Sequence, residues 1–182
     1  MYAGHFAAGL ALKARQPKAP TWALLVGTGL LDILFGPFLV AGIERATLTP
    51  GQSPGFRLDF IDWSHSLTMS LVWSALYALA FFKRGRAVAL TLGFAVFSHF
   101  LLDLPMHPPD LALWPGAATH LGFGLWHTPF WWWTELAVVL AGCGYYWARA
   151  RQLRTFGGHA AWATALVVVL HVVNSPWLSA TK

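Results

Sequence analysis

The residues best suited to chemistry are a histidine and an aspartate four positions apart in an apolar segment, His99 and Asp103. A helix places side chains at this spacing on one face. A neutral imidazole and a carboxylate are common ligands of zinc and manganese, and two ligands satisfy neither ion. Further ligands must therefore come from other segments of the chain, and we expect them to be Asp32 and His65.

His5 lies in a short apolar stretch, residues 2–12, that is too short to cross a bilayer alone. We expect this stretch to be a half-length helix docked against other helices, with His5 as a fifth ligand or as a partner of one. Asp32 and His5 are also the two candidates for a catalytic general base, and the sequence alone does not separate that role from a ligand role.

Simpler interpretations compete with these. His99 and Asp103 are also the pattern of a buried histidine whose tautomer is fixed by a neighbouring carboxylate. For Glu135 and His171 we expect only hydrogen bonds between helices. Asp62 lies in a polar loop, where we expect a solvated side chain.

The composition of the 182-residue chain indicates that its main solvent is lipid. Hydrophobic residues make up 57% and charged residues 10%, whereas about a quarter of the residues of a soluble domain are charged. We therefore expect neither a soluble enzyme nor a disordered or disulfide-stabilised secreted protein. The net charge of +5 does not indicate nucleic-acid binding, because the basic residues form short clusters between apolar runs.

Hydropathy predicts an all-α, polytopic membrane bundle with about five transmembrane helices and an N-terminal half-length helix. A helix of about 20 apolar residues crosses the hydrocarbon core. We detect no internal repeat and no domain boundary, so residues 1–182 are expected to form a single integral membrane domain. The predicted spans are 21–43, 63–82, 87–105, 129–148 and 160–175.

The distribution of Lys and Arg predicts an orientation. Three basic clusters alternate with the basic-poor loops 44–62 and 106–128. By the positive-inside rule, these two loops face outward from a cell (inner) membrane that the chain crosses several times. Loop 106–128 is long for a connector, and we expect it to form a lid over the outer mouth of a site.

Ionisable groups inside a membrane span are costly and therefore mark candidate functional sites. Counting ~1.5 Å per helical residue from the basic clusters places the candidates in the middle or outer half of the bilayer. This common depth predicts one shared site. The residues concerned are His5, Asp32, His65, His99 and Asp103.

Four short motifs occur in the order found in a known family. They are Gly4–Gly9 (GHFAAG), Gly27–Asp32 (GTGLLD), Ser64–Leu67 (SHSL) and the pair His99 and Asp103. With these motifs the first 110 residues or so resemble the YdjM-like family of inner-membrane metal-dependent hydrolases. The resemblance implies a membrane-embedded, metal-dependent hydrolase.

The chain also departs from this family at three places. Leu34 stands where family members usually have a second aspartate, and Leu31 stands where they have a proline. The stretch 59–62 lacks the His-Arg pair that often precedes the Ser-His-Ser element in the family. The resemblance therefore implies a site with fewer ligands than other members have.

The expected function is metal-dependent hydrolysis of an ester or phosphoester carried by a lipid headgroup, with the bilayer as the chain's partner. The expected cofactor is one divalent cation, zinc rather than manganese, bound by Asp32, His65, His99 and Asp103. One alternative is a small permease or ion carrier that uses the same groups as a pathway. Another is a haem protein with His65 and His99 as axial ligands.

Overall fold

The computed structural model describes residues 1–49, 55–153 and 157–179, and it is mostly helical, with about 70% helix and 8% strand. Short 3₁₀ turns occur at Phe82–Arg84 and Leu125–His127. The helices are α1 Tyr2–Arg15, α2 Thr21–Thr28, α3 Leu30–Val40, α4 Asp62–His65, α5 Leu67–Ala80, α6 Arg86–Met106, α7 Trp131–Leu153, α8 Gly157–Val173 and α9 Pro176–Ser179. The strands are β1 Arg45–Leu48, β2 Phe56–Phe60, β3 Leu111–Ala112 and β4 His120–Leu121.

The prediction of about five transmembrane helices is wrong. Within the described residues, α6 is the one helix that is by itself long and apolar enough to cross a membrane. It corresponds to the predicted span 87–105. The predicted span 21–43 is instead α2 and α3, which pass the same test only together and are bent by 53° at Gly29. A multi-pass topology, and the outward orientation of loops 44–62 and 106–128 that followed from it, is therefore not supported.

The other three predicted spans fail for reasons of length and composition. Within 63–82, the chain breaks at Ser66, and α5 has only 14 residues. The apolar part of α8, Ala160–Val173, is also too short. α7 has 23 residues, but its tryptophans, tyrosines, Glu135 and arginines make it less apolar than a span requires.

The all-α prediction is also corrected by two small antiparallel sheets. β1 and β2 form a hairpin in which Arg45 pairs with Phe60 and Leu48 pairs with Phe56. β3 and β4 pair within the predicted lid, residues 106–128. Each sheet has two strands, and both lie near the end of α6 that carries the candidate ligands.

α1 is the short docked helix predicted for residues 2–12, and it packs against α7, α2, α8 and α6. Its buried face is formed largely by small residues such as Ala3, Ala7 and Ala14. Small side chains allow the backbones of neighbouring helices to come close. At Gly142 of α7, an added Cβ would lie 2.6 Å from the carbonyl oxygen of Ala7. This contact fixes α1, and with it His5, against α7.

α6 lies at the centre of the remaining helices. Its buried side chains, among them Leu92, Val96 and Phe100, contact α2, α3 and α5. At Gly93 an added Cβ would lie 2.8 Å from the carbonyl oxygen of Ser74, so α5 and α6 are in close backbone contact. The C-terminal half of α6 is therefore held on several sides before it reaches the candidate ligands.

Large apolar side chains are exposed over much of the described surface. Val40 is 91% exposed, Leu48 79% and Trp162 78%, and these residues belong to three different elements. Extensive exposed apolar surface marks contact with a partner or with a membrane. The exposed apolar surface thus extends well beyond the one candidate spanning helix.

Candidate metal centre

Asp103 is the centre of a buried cluster of histidines. It lies one helical turn after His99 on α6, as the four-residue spacing predicts, and its side chain is 2% exposed. Its Oδ2 lies 3.0 Å from Nε2 of His99 and 3.6 Å from Nε2 of His107. Its Oδ1 lies 3.1 Å from Nε2 of His5 and 2.8 Å from the amino group of Met1.

Asp32 is the second carboxylate of the cluster. It lies in the first turn of α3, just after the bend at Gly29, and its Oδ1 is 3.4 Å from Nε2 of His65 and 3.7 Å from Nε2 of His99. Unlike Asp103, its side chain is about half exposed (53%). Asp32 is therefore the acidic residue of the cluster that a molecule arriving from outside can reach.

Two of the histidines are oriented by hydrogen bonds from the ring nitrogen that faces away from the carboxylates. Nδ1 of His99 donates to the carbonyl oxygen of Thr28 at 2.7 Å, which is available because α2 ends at this residue. Nδ1 of His107 lies 2.9 Å from Oδ1 of Asp110. In a neutral ring this arrangement leaves the Nε2 lone pair directed at the carboxylates, as in metal-binding histidines.

His65 is oriented in the same way by a longer chain of contacts. Its Nδ1 lies 2.6 Å from Oγ of Ser64, and this hydroxyl lies 2.8 and 2.9 Å from the carboxylate oxygens of Glu44. Because a carboxylate only accepts, the hydroxyl donates to Glu44 and accepts from Nδ1 of His65. The backbone N–H of Ser64 also donates to Glu44. Nε2 of His65 is thereby left free of a proton.

His5 is stacked on His99, with ring centroids 3.7 Å apart and an angle of 9° between the planes. Burial, together with the proximity of His99, lowers the pKa of His5 from 6.5 to about 3. Burial also lowers the pKa of His65. Both rings are therefore neutral at pH 7, which is the form that binds a metal.

The cluster contains two groups of potential ligand atoms that share His99. In each group the atoms lie within 4.8 Å of one another. Nitrogen and carboxylate oxygen in this mixture suit zinc or manganese. The groups are His5, His99 and Asp103, and Asp32, His65 and His99.

A polar atom without a hydrogen bond supports this fit. Nε2 of His99 is buried and has no hydrogen-bond partner among the described residues, although Oδ2 of Asp103 is 3.0 Å away. When the ring is neutral, its Nε2 lone pair and the carboxylate oxygen repel each other at this distance, and a proton or a metal ion that binds both atoms relieves the repulsion. Haem fits less well, because the rings of His65 and His99 are only 5.3 Å apart at 63° and leave no space for a porphyrin between them.

The structure thus brings together all five residues predicted for the site, His5, Asp32, His65, His99 and Asp103. It adds His107, which was predicted only as part of the lid. The helical spacing contains a signal for it, because His107 follows Asp103 by four residues, as Asp103 follows His99. That signal was missed because the predicted span ended at residue 105 and His107 was assigned to the following loop, whereas α6 continues to Met106.

The other predicted polar residues lie outside the cluster. Nδ1 of His171 lies 3.4 Å from Oε2 of Glu135, so the hydrogen bond predicted between helices is present, and Oε1 of Glu135 accepts from the backbone N–H of Gly4. Asp62 was expected to be solvated, but it is 2% exposed and accepts a hydrogen bond from the backbone N–H of Gly116. It therefore ties the lid to the start of α4.

A cavity of about 340 Å³ opens beside the cluster. Asp32, His65, Asp103 and His107 form its polar end, and Trp126 of loop 106–128 lines it as well. That loop therefore contributes to the lining of the cavity, and its role as a lid stays a prediction. The rest of the lining is mainly apolar and includes Phe35, Phe56, Leu58 and Ile61.

Comparison of the chain with protein-family models, with curated proteins and with solved structures gives no match. The resemblance to the YdjM-like family therefore stays a prediction, and the function has to be argued from the geometry of the site.

Proposed function

We propose that this protein is a membrane-associated, metal-dependent hydrolase that acts on an ester or phosphoester carried by a lipid headgroup. The observation that carries the proposal is the convergence of ring nitrogens on two carboxylates. Nε2 atoms of His65, His99 and His107 face Asp32 and Asp103, and the opposite ring nitrogens are held by hydrogen bonds.

A divalent cation bound here, zinc or manganese, supplies a water of lowered pKa and polarises the scissile bond. His65, His99 and Asp103 are the candidate ligands, with His5 behind them against Asp103. Asp32 is the ligand or general base that solvent reaches most easily, because its side chain is half exposed whereas Asp103, which also lines the cavity, is buried. As a base, Asp32 accepts the proton of the attacking water.

Two features support a lipid as the source of the ester. The cavity wall beside the ligands is formed mainly by apolar side chains such as Phe35, Leu58 and Ile61. The part of the chain that the structure describes has one candidate membrane-spanning helix and many exposed apolar side chains outside it. A lipid held in a membrane at this surface presents its headgroup to a site lined in this way.

The experiment is to purify the protein in detergent, measure bound metal by mass spectrometry, and assay hydrolysis of phosphatidylcholine vesicles and of bis-p-nitrophenyl phosphate. We expect stoichiometric zinc or manganese and an activity that a chelator abolishes and the metal restores. Asp32→Asn should retain metal and lose activity if Asp32 is the base. His120→Ala, at an exposed histidine outside the cluster, is the matched control. Absence of bound metal in folded protein would contradict the proposal.

A further inference from the structure

An apolar groove opens at the surface next to the cluster of histidines and aspartates. Its volume is about 390 Å³, and it shares Tyr2 and Asp32 with the cavity described above. The two spaces are therefore adjacent, and an occupant of either one lies against Asp32. The remaining lining consists of Phe6, Leu25, Val26, Gly29 and Ile33.

The groove results from the bend between α2 and α3. α1 packs along α2, and at Gly29 the chain turns by 53° into α3. The direction of α3 therefore diverges from that of α1, and the space between them is bordered by Phe6 on one side and Ile33 on the other. The same bend brings Asp32 to the inner end of the groove.

The lining of the groove selects an uncharged, apolar occupant. Among the described residues, Asp32 is the one charged side chain that lines the groove, and no Lys or Arg lines the groove or the cavity. Val26 and Ile33 are exposed along its outer edge, where they join other exposed apolar side chains such as Trp22. Contact with hydrocarbon is favourable along this whole length.

We propose that this groove binds one hydrocarbon chain of a membrane lipid, while the ester group of the same lipid lies at Asp32. The part that concerns the ester rests on the proposed function, whereas chain binding in the groove does not. The substrate class is thereby narrowed to lipids with a long chain.

Gly29 offers a direct way to fill the groove. Its φ is −104°, which other residues adopt freely, and the nearest atom to an added Cβ is the carbonyl oxygen of Leu25 at 3.6 Å. A leucine here should therefore project into the groove without backbone strain. Gly36 is the matched control, because an added Cβ there meets no atom within 4 Å and Gly36 does not line the groove.

The test is photocrosslinking in vesicles of phosphatidylcholine that carries a diazirine on a long acyl chain. Labelling is mapped by mass spectrometry and expressed relative to labelling near Trp162, an exposed residue of α8. We expect strong labelling of 25–33 in the wild type, unchanged in Gly36→Leu and reduced about tenfold in Gly29→Leu, because the groove no longer accepts several methylenes. If Gly29→Leu does not accumulate, Val26→Trp fills the outer edge instead.

Equal labelling of Gly29→Leu and Gly36→Leu would overturn the proposal, and so would wild-type labelling of 25–33 no stronger than that near Trp162. Zinc and manganese contents are measured in the same samples. Groove labelling in protein that holds neither zinc nor manganese would support the groove and contradict the proposed function. Bound zinc without groove labelling would do the reverse.

Discussion

Nε2 of His99 lies 3.0 Å from Oδ2 of Asp103 without a hydrogen bond between them, while Nδ1 of the same ring donates to the carbonyl oxygen of Thr28. While the imidazole is uncharged, its Nε2 lone pair and the carboxylate repel each other in this arrangement. A cation off the line between the two atoms would be bound by both.

The first prediction concerns this pair. His99→Ala and Asp103→Ala should each weaken zinc binding by more than about 100-fold, which is the upper range for losing a residue that only supports a ligand. The measurement is competition with a chromophoric chelator, with His120→Ala as the control.

If the pair is only structural, the variants should behave differently. His99→Ala would then remove one of the partners of the buried Asp103, which keeps the amino group of Met1 and Nε2 of His5, and the main effect would be poorer folding. Full zinc occupancy in well-folded His99→Ala would rule out the metal site.

The second prediction concerns the hydroxyl that orients His65. Ser64→Ala should weaken zinc binding by about 10- to 100-fold, because the ring loses the acceptor for its Nδ1 proton. The fold should persist, since the backbone N–H of residue 64 still donates to Glu44. Ser70→Ala is a matched control, because Ser70 is also buried but donates to the carbonyl oxygen of Ser66 within α5. Equal zinc affinity in the two variants would contradict the orienting role.

The third prediction is a pH dependence of the metal-free protein. Burial lowers the pKa of His5 to about 3, whereas the unfolded chain protonates it near 6.5. Between these pH values the unfolded state binds the extra proton, so stability should fall as the pH is lowered from 6.5 toward 3, by ~1.4 kcal/mol per unit. The groups that face His5 are Asp103, His99 and the amino group of Met1.

The measurement is the thermal unfolding midpoint as a function of pH in wild type and His5→Gln. The variant should lose part of the slope in this window and keep the part due to His65, whose pKa is also lowered by burial. An identical slope in both proteins would show that His5 does not stay neutral when folded.

Local spacing predicts the part of the site that lies on one helix. His99 and Asp103 share a face of α6 because four residues make about one turn. Bringing Asp32, His65 and His5 to them required a further argument, namely that buried ionisable groups need partners. Glu44 could not be found in this way, because it lies before the β1–β2 hairpin and reaches the site only through Ser64.

Hydropathy predicts apolar helices but not where they bend or stop. The run 21–43 is apolar throughout, yet the chain turns at Gly29. This bend frees the carbonyl oxygen of Thr28 to accept from His99 and places Asp32 beside the histidines. The run 63–82 is interrupted because Ser66 adopts an extended backbone and caps α5 through its side chain. Such breaks depend on tertiary contacts, which an average of hydropathy over a sequence window does not include.

The last prediction concerns the contact that holds α1 in place. A Cβ at Gly142 would lie 2.6 Å from the carbonyl oxygen of Ala7, so Gly142→Ala must displace α1, which carries His5. We expect a loss of about 1–3 kcal/mol of unfolding free energy and weaker zinc binding. Gly144→Ala, on the same helix with no atom within 4 Å of the added Cβ, should stabilise by up to ~1 kcal/mol, because alanine favours helix. Thermal unfolding and zinc titration of both variants provide the check. A loss of stability with unchanged zinc affinity would show that the metal site does not depend on the position of α1.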